Sequence, residues 1–228
     1  MALRNRVAWY LRVVIWWLRV IQMGGSIIAT LLGSVRLGPY KFEILRSWRK
    51  GCDLAGATVE PRTFRKNWKS HVRVRNLNGR VCVEKLFFGG LRERLKCFVE
   101  VNHLWRLRDI KVAPSIVGFD PVKSAIYMEL IEGITLKEFL EQCAACELKS
   151  SNEVQKRVLA RFLDLNQNGL FVNDVHSRNI IIDEGGNVRV VDLAEAVSVS
   201  SLPGALRQRF YSLDLVGIQR MFEGGQRC

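Results

Sequence analysis

The sequence predicts an α+β fold in which a small antiparallel sheet carries one packed helix and leads into a helical region. Three observations predict it. Val72, Val74 and Val81, Val83 alternate on either side of Asn78-Gly79, the strongest short hairpin signal in the chain. Apolar residues then recur at helical spacing from Leu91 to Leu107. Two further strand-like runs and another helix follow, so the order is strand, strand, helix, strand, strand, link, helix. Such an order builds two layers with a cleft beside the link.

The totals fit a globular chain. It has 228 residues, 48% of them hydrophobic and 25% charged, which excludes disorder as the default. The formal net charge of +13 favours anionic partners. That charge is unevenly placed, because residues 1–50 contain a single acid, Glu43. Six scattered cysteines read as reduced thiols rather than a disulfide framework. Cys143 and Cys146 form one CxxC without a second ligand pair, and are expected to pack within a helix rather than hold zinc.

Residues 1–37 form a hydrophobic and basic helical segment. Val7 to Val35 is apolar and aromatic but interrupted by Arg12, Arg19 and Gly24-Gly25. Arg12 spoils the clean apolar core of a secretory signal, and a central Arg costs about 2.5–3.5 kcal/mol in a spanning helix. Trp9, Tyr10, Trp16 and Trp17 suit a membrane interface. An amphipathic helix lying on an anionic membrane fits best, which places the chain at the cytoplasmic face of a membrane. A basic-capped core helix, in a cytoplasmic protein, and a hairpin dipping into the bilayer are the other readings. The basic residues are interleaved with Trp, but no RNA-binding motif accompanies them, so nucleic acid is not an expected partner.

Lys41 to Lys69 is basic and mixed, with room for a first strand or short helix. The hairpin follows, then the helix Leu91 to Leu107, whose apolar positions are Leu91, Leu95, Phe98, Val101, Leu104 and Trp105. Ile116 to Phe119 and Ala125 to Leu130 read as strands around Asp120-Pro121. Thr135 is a cap for the helix Leu136 to Cys146. Val154 to Asn166 is a further helix with a good apolar stripe.

The chemistry concentrates between 154 and 196. After Gly169 comes LFVNDVHSRNIIIDEGGNVRVVDLAEA. Two β-rich runs, Asn179 to Ile182 and Val188 to Val191, flank the turn Asp183 to Gly186. Asp174 and Asn179 precede this hairpin and Asp192 follows it. Phosphoryl transfer needs a carboxylate to orient the attacking hydroxyl, oxygen ligands for Mg²⁺ and a Lys to neutralise phosphate charge.

These residues resemble the protein-kinase superfamily. An Asp followed five positions later by an Asn, and then a metal-binding Asp about a dozen residues on, matches Asp174, Asn179 and Asp192. The run VCVEK is similar to the family's V-A-I-K, which points to Lys85. Glu100, with Glu93 as runner-up, resembles the Glu that pairs with that Lys. Met128 to Gly133 looks like the hinge that holds adenine, through Glu129 and Ile131. Asp214 in YSLDLVGI resembles an anchoring Asp of compact members. The nearest likeness is to the small atypical group, RIO-type and lipopolysaccharide-core sugar kinases among them, which often carry a His where His176 stands.

The resemblance implies a two-lobed protein-kinase-like fold: an antiparallel-sheet N-lobe over 38–132 and a reduced helical C-lobe over 133–228. It implies ATP and Mg²⁺ as cofactors, with Asp174 acting on the acceptor. Lys85 and Glu100 would serve the phosphates, and Asn179 and Asp192 the metal. The acceptor would be a hydroxyl of a membrane glycolipid sugar or of a protein Ser/Thr. Three departures keep a pseudokinase, a binding or scaffolding module without turnover, as the alternative. No GxGxxG precedes the hairpin, Val172-Asn173 stand before Asp174, and the metal-site triplet reads Asp192-Leu193-Ala194.

Overall fold

In the computed structural model, residues 18, 20, 21, 63–66, 70–77, 79–88, 90–120, 123–146 and 151–224 are described. The architecture is mixed α+β, with antiparallel sheets and four helices among the described elements. Five strands make the largest sheet: β1 (Thr63–Lys66), β2 (Ser70–Leu77), β3 (Arg80–Phe87), β4 (Ile116–Asp120) and β5 (Ala125–Glu129). Their order is β1-β2-β3-β5-β4, each pair antiparallel. The β2–β3 register runs from Ser70↔Phe87 to Leu77↔Arg80, which leaves a two-residue loop at 78–79. Gly79 has φ +82, the left-handed conformation that such loops demand. Its neighbour Asn78 lies outside the described residues, as do most of 1–37, residues 38–62 and Pro121.

Alternation sorts β3 onto two faces. Val83, Lys85 and Phe87 share one face with Ile126 and Met128 of β5. Helix α1 (Leu91–Arg106) covers it with Cys97, Val101 and Leu104, and Phe98 meets Phe119 edge-to-face at 5.3 Å. Leu91, the first apolar position of the expected stripe, is instead 75% exposed. The buried face of α1 carries Glu100 and His103 in its place. On the other face of the sheet, Cys82, Leu77, Ala125 and Tyr127 form a second cluster. Glu84, the neighbour of Lys85 in sequence, is buried there and bonds to Arg73, Arg75 and Tyr127.

After the short link 130–132, β6 (Gly133–Thr135) opens the rest of the chain. Gly133 has φ +157, and a Cβ there would lie 2.1 Å from the Ile182 carbonyl oxygen, so only glycine fits against β8. Thr135 and Glu138 form a reciprocal capping box at the start of α2 (Leu136–Cys146). Helix α3 (Ser151–Gln167) follows, then β7 (Leu170–Phe171), β8 (Ile180–Asp183), β9 (Val188–Val190), β10 (Val197–Ser198) and α4 (Gly204–Gly224). β6, β8 and β9 form one small sheet, and β10 pairs with β7. One continuous core runs from Phe87, Leu104 and Ile126 to Phe162, Leu165, Ile180, Leu193 and Ile218.

Leu18 and residues 20 and 21 are helical, and Leu18 packs against the cluster of Phe171, Val197, Val199 and Phe210. No helix among the described residues is long and apolar enough to cross a membrane.

Candidate active site

The site is assembled by β3, α1, the turn at 172–179 and the end of β9. Lys85 projects from the inner face of β3 and is buried. Its ammonium lies 2.6 Å from Glu100 on α1 and 2.6 Å from Asp192 after β9. Burial alone would push the Lys85 pKa down; the carboxylates of Asp192 and Glu100 outweigh it and hold the ammonium above the ordinary lysine value. Lys85 is therefore charged throughout the neutral range. Glu93, the other candidate on α1, pairs with Lys96. The register of β3 and the docking of α1 thus place Glu100, 1% exposed, at Lys85.

Asp192 sits at φ 63 and ψ 61, in the left-handed region. The N–H of Val191 donates to the Asn179 carbonyl at 2.8 Å, which brings Asn179 beside the metal-site candidate. Asn179 is itself buried, and its amide approaches the Asp174 carboxylate at 3.5 Å and the Asp174 carbonyl at 3.4 Å. Asp174 is exposed, at the tip of a tight turn in which its N–H reaches the Val172 carbonyl at 2.8 Å. Asn173 takes φ 64 to make that turn.

Beneath the turn lies Asp214 of α4. Its carboxylate accepts the N–H groups of Val172 at 3.0 Å and Asn173 at 3.2 Å. Burial pushes its pKa up to about 7, against the pull of those two bonds. His176 caps the 3₁₀ turn Ser177–Asn179, its Nδ1 accepting the Arg178 N–H at 3.2 Å, and is exposed.

The link 130–132, with Ile131 half-buried, follows β5 directly. The Glu129 N–H donates to the Ser115 carbonyl at 2.9 Å, and its carboxylate accepts the Ser115 N–H at 3.0 Å. Both groups of Glu129 thus tie the link to the segment before β4. Residues 67–69, between β1 and β2, lie outside the described residues.

Sequence reasoning missed the polar face of α1. Lys96 lies 2.6 Å from Glu195, His103 Nε2 lies 3.2 Å from the Ala196 carbonyl, and Arg106 donates to the Ser198 hydroxyl at 3.0 Å. The available signal was spacing: Lys96, Glu100 and His103 stand four and three residues apart, on one helical face.

Oxygen donors at Asn179 and Asp192 beside a buried lysine are a set that suits Mg²⁺ and phosphate. Comparison with known proteins agrees at a coarse level. The chain is 32% identical over 76 residues, 33% of its length, to the serine/threonine-protein kinase PrkC of Bacillus subtilis (strain 168). It is 29% identical over 96 residues, 39% of its length, to the probable serine/threonine-protein kinase PknB of Lactococcus lactis subsp. lactis (strain IL1403).

Part of this chain is similar to bacterial serine/threonine protein kinases.

The chain spans 12% of the length of PrkC and 15% of that of PknB. No family model matches the chain.

Proposed function

We propose that the chain is an ATP-dependent phosphotransferase that moves the γ-phosphate to a hydroxyl. The observation that supports this most is the meeting of Lys85, Glu100 and Asp192, with the Asn179 carbonyl bonded to the residue before Asp192. Lys85, kept charged by its carboxylates, would neutralise the phosphates, and Glu100 would hold it in place. Asn179 and Asp192 would supply oxygens to Mg²⁺, which when bound neutralises charge on the transferring phosphate. Asp174, exposed on its anchored turn, would accept or orient the acceptor hydroxyl. The segment Met128 to Gly133, through Glu129 at the end of β5 and Ile131 in the link, would face adenine.

The acceptor is proposed as a membrane glycolipid sugar or a protein Ser/Thr, with the enzyme at the cytoplasmic face of a membrane. The basic, aromatic sequence of 1–37 favours the former, and the names of the two relatives favour the latter. A second reading, a pseudokinase, is favoured by the Asp192-Leu193-Ala194 triplet and the absence of GxGxxG.

Thermal unfolding with Mg-ATP tests both. At about 100 times its Kd the nucleotide should add about 2.7 kcal/mol to wild type. That gain should vanish in Asp192→Ala. It should survive in Asp174→Asn, which should nevertheless transfer no phosphate. Full transfer by Asp174→Asn sinks the assignment, and binding without transfer by wild type selects the pseudokinase.

A further inference from the structure

Asp192 holds a left-handed backbone conformation, φ 63 and ψ 61, which a non-glycine residue keeps only when its surroundings fix it. On its N-terminal side the fixing is by backbone bonds: Val190 N–H to Val112 and Val191 N–H to Asn179, both at 2.8 Å. On its C-terminal side, residues 193–195 form a single 3₁₀ turn, Ala196 follows, and β10 begins at Val197. That turn is laid along one face of α1. Glu100 reaches the Asp192 side through Lys85, His103 bonds the Ala196 carbonyl, and Arg106 bonds Ser198.

One tie on this face is an ion pair between partly exposed side chains. The Lys96 ammonium sits 2.6 Å from Glu195 and 2.9 Å from Glu93, with side-chain exposures of 12%, 27% and 13%. Glu93 steadies Lys96 from one turn back on α1, so the ammonium is pre-placed for the 3₁₀ turn. Glu195 stands three residues after Asp192, at the far end of that turn. An ion pair there resists rotation of the turn about the Asp192 backbone. The pair is partly exposed, unlike Glu100 and His103; Glu195→Gln leaves Lys96 its second partner Glu93, whereas Lys96→Met takes the cation from Glu93 as well as from Glu195.

We propose that Lys96 and Glu195 are positioning residues for Asp192: their ion pair pins the 193–195 turn to α1 and so fixes where the Asp192 carboxylate presents its oxygens. The proposal rests on the reading of Asp192 as a metal ligand, but its structural half does not.

Two measurements on the full chain test it, with Lys96→Met, Glu195→Gln and the swapped pair Lys96→Glu/Glu195→Lys. Lys96→Met keeps the aliphatic stem, and Glu195→Gln is isosteric, so the fold is retained. Hydrogen exchange without nucleotide should speed up about fivefold across 192–199 in both single variants and return toward wild type in the swap. The Mg²⁺ concentration needed for half-maximal ADP binding should rise about fivefold in the singles, with metal-free ADP binding unchanged. Unchanged exchange across 192–199 overturns the proposal. Faster exchange with an unaltered Mg²⁺ requirement overturns it too, because the turn would then move without Asp192. Wild type that shows no Mg²⁺-dependent nucleotide binding defeats the kinase reading instead, while the exchange arm still decides whether the pair holds the turn.

Discussion

Lys85 and Asp192, 107 residues apart in the chain, are joined by a 2.6 Å ion pair, and Glu100 completes the contact from a third element. A buried lysine shared by two carboxylates couples the sheet, α1 and the end of β9 through one side chain. Each pairing compensates the desolvation of the others.

Removal of Lys85 should therefore cost stability as well as nucleotide binding. Lys85→Met leaves Glu100 buried without its cation, a loss of about 3 kcal/mol or more. Burial pushes the Glu100 carboxyl up, and Lys85, followed by the Leu193 N–H, pulls it back. In Lys85→Met the Glu100 pKa, already above its unfolded value, should rise further. Stability from that group is then present at low pH and lost as pH rises. Urea unfolding should show a larger deficit at pH 8 than at pH 5, and Lys85→Met/Glu100→Gln should remove the difference. Equal deficits at both pH values would contradict the buried pair.

Asp214 should control the turn that carries Asp174. Its carboxylate takes the N–H groups of Val172 and Asn173, so Asp214→Ala leaves one buried donor and one half-buried donor without that partner. The expected cost is about 1–3 kcal/mol for each unsatisfied group. Transfer should fall in kcat while the ATP-dependent thermal shift is retained, because Lys85 and Asp192 are not touched. An unchanged kcat would show that the turn holds its shape without Asp214.

His103 should make the fold acid-sensitive. Burial lowers its pKa from 6.5 to about 4, opposed by the bond to the Ala196 carbonyl. Its folded value lies below its unfolded one, so its contribution is complete above pH 6.5 and fades as pH falls toward 4. The full loss is on the order of 3 kcal/mol. Urea midpoints measured from pH 7 to pH 4 should fall less steeply in His103→Gln, whose side chain does not titrate. Parallel pH profiles for the two proteins would assign the acid sensitivity elsewhere.

The hairpin β2–β3 and the Thr135 cap were legible in the sequence because both are local; the Glu138 half of the capping box was added by the structure. Helix α2 was legible with both its bounds, Leu136 and Cys146, and α3 from periodicity, although it begins at Ser151 and ends at Gln167 rather than at Val154 and Asn166. The strands β6, β7 and β10, two or three residues long, were not legible. Runs so short carry no periodicity, and their pairing depends on where Gly133 and Gly169 bring the chain.

The spacing Asp174, Asn179, Asp192 is a property of the sequence alone, as are the net charge and the strand that bears Lys85. Which glutamate of α1 meets that lysine was decided only in three dimensions. Glu93 and Glu100 are both plausible on the helix, and the docking of α1 on the sheet buries one and gives the other to Lys96. The same docking made His103 a neutral buried donor and set Lys96 against Glu195. Glu84, next to Lys85 in sequence, went to the opposite face because strand side chains alternate. Local pattern determined which groups the chain owns. Long-range packing, which trades desolvation of each charge against its partner, determined which of them meet.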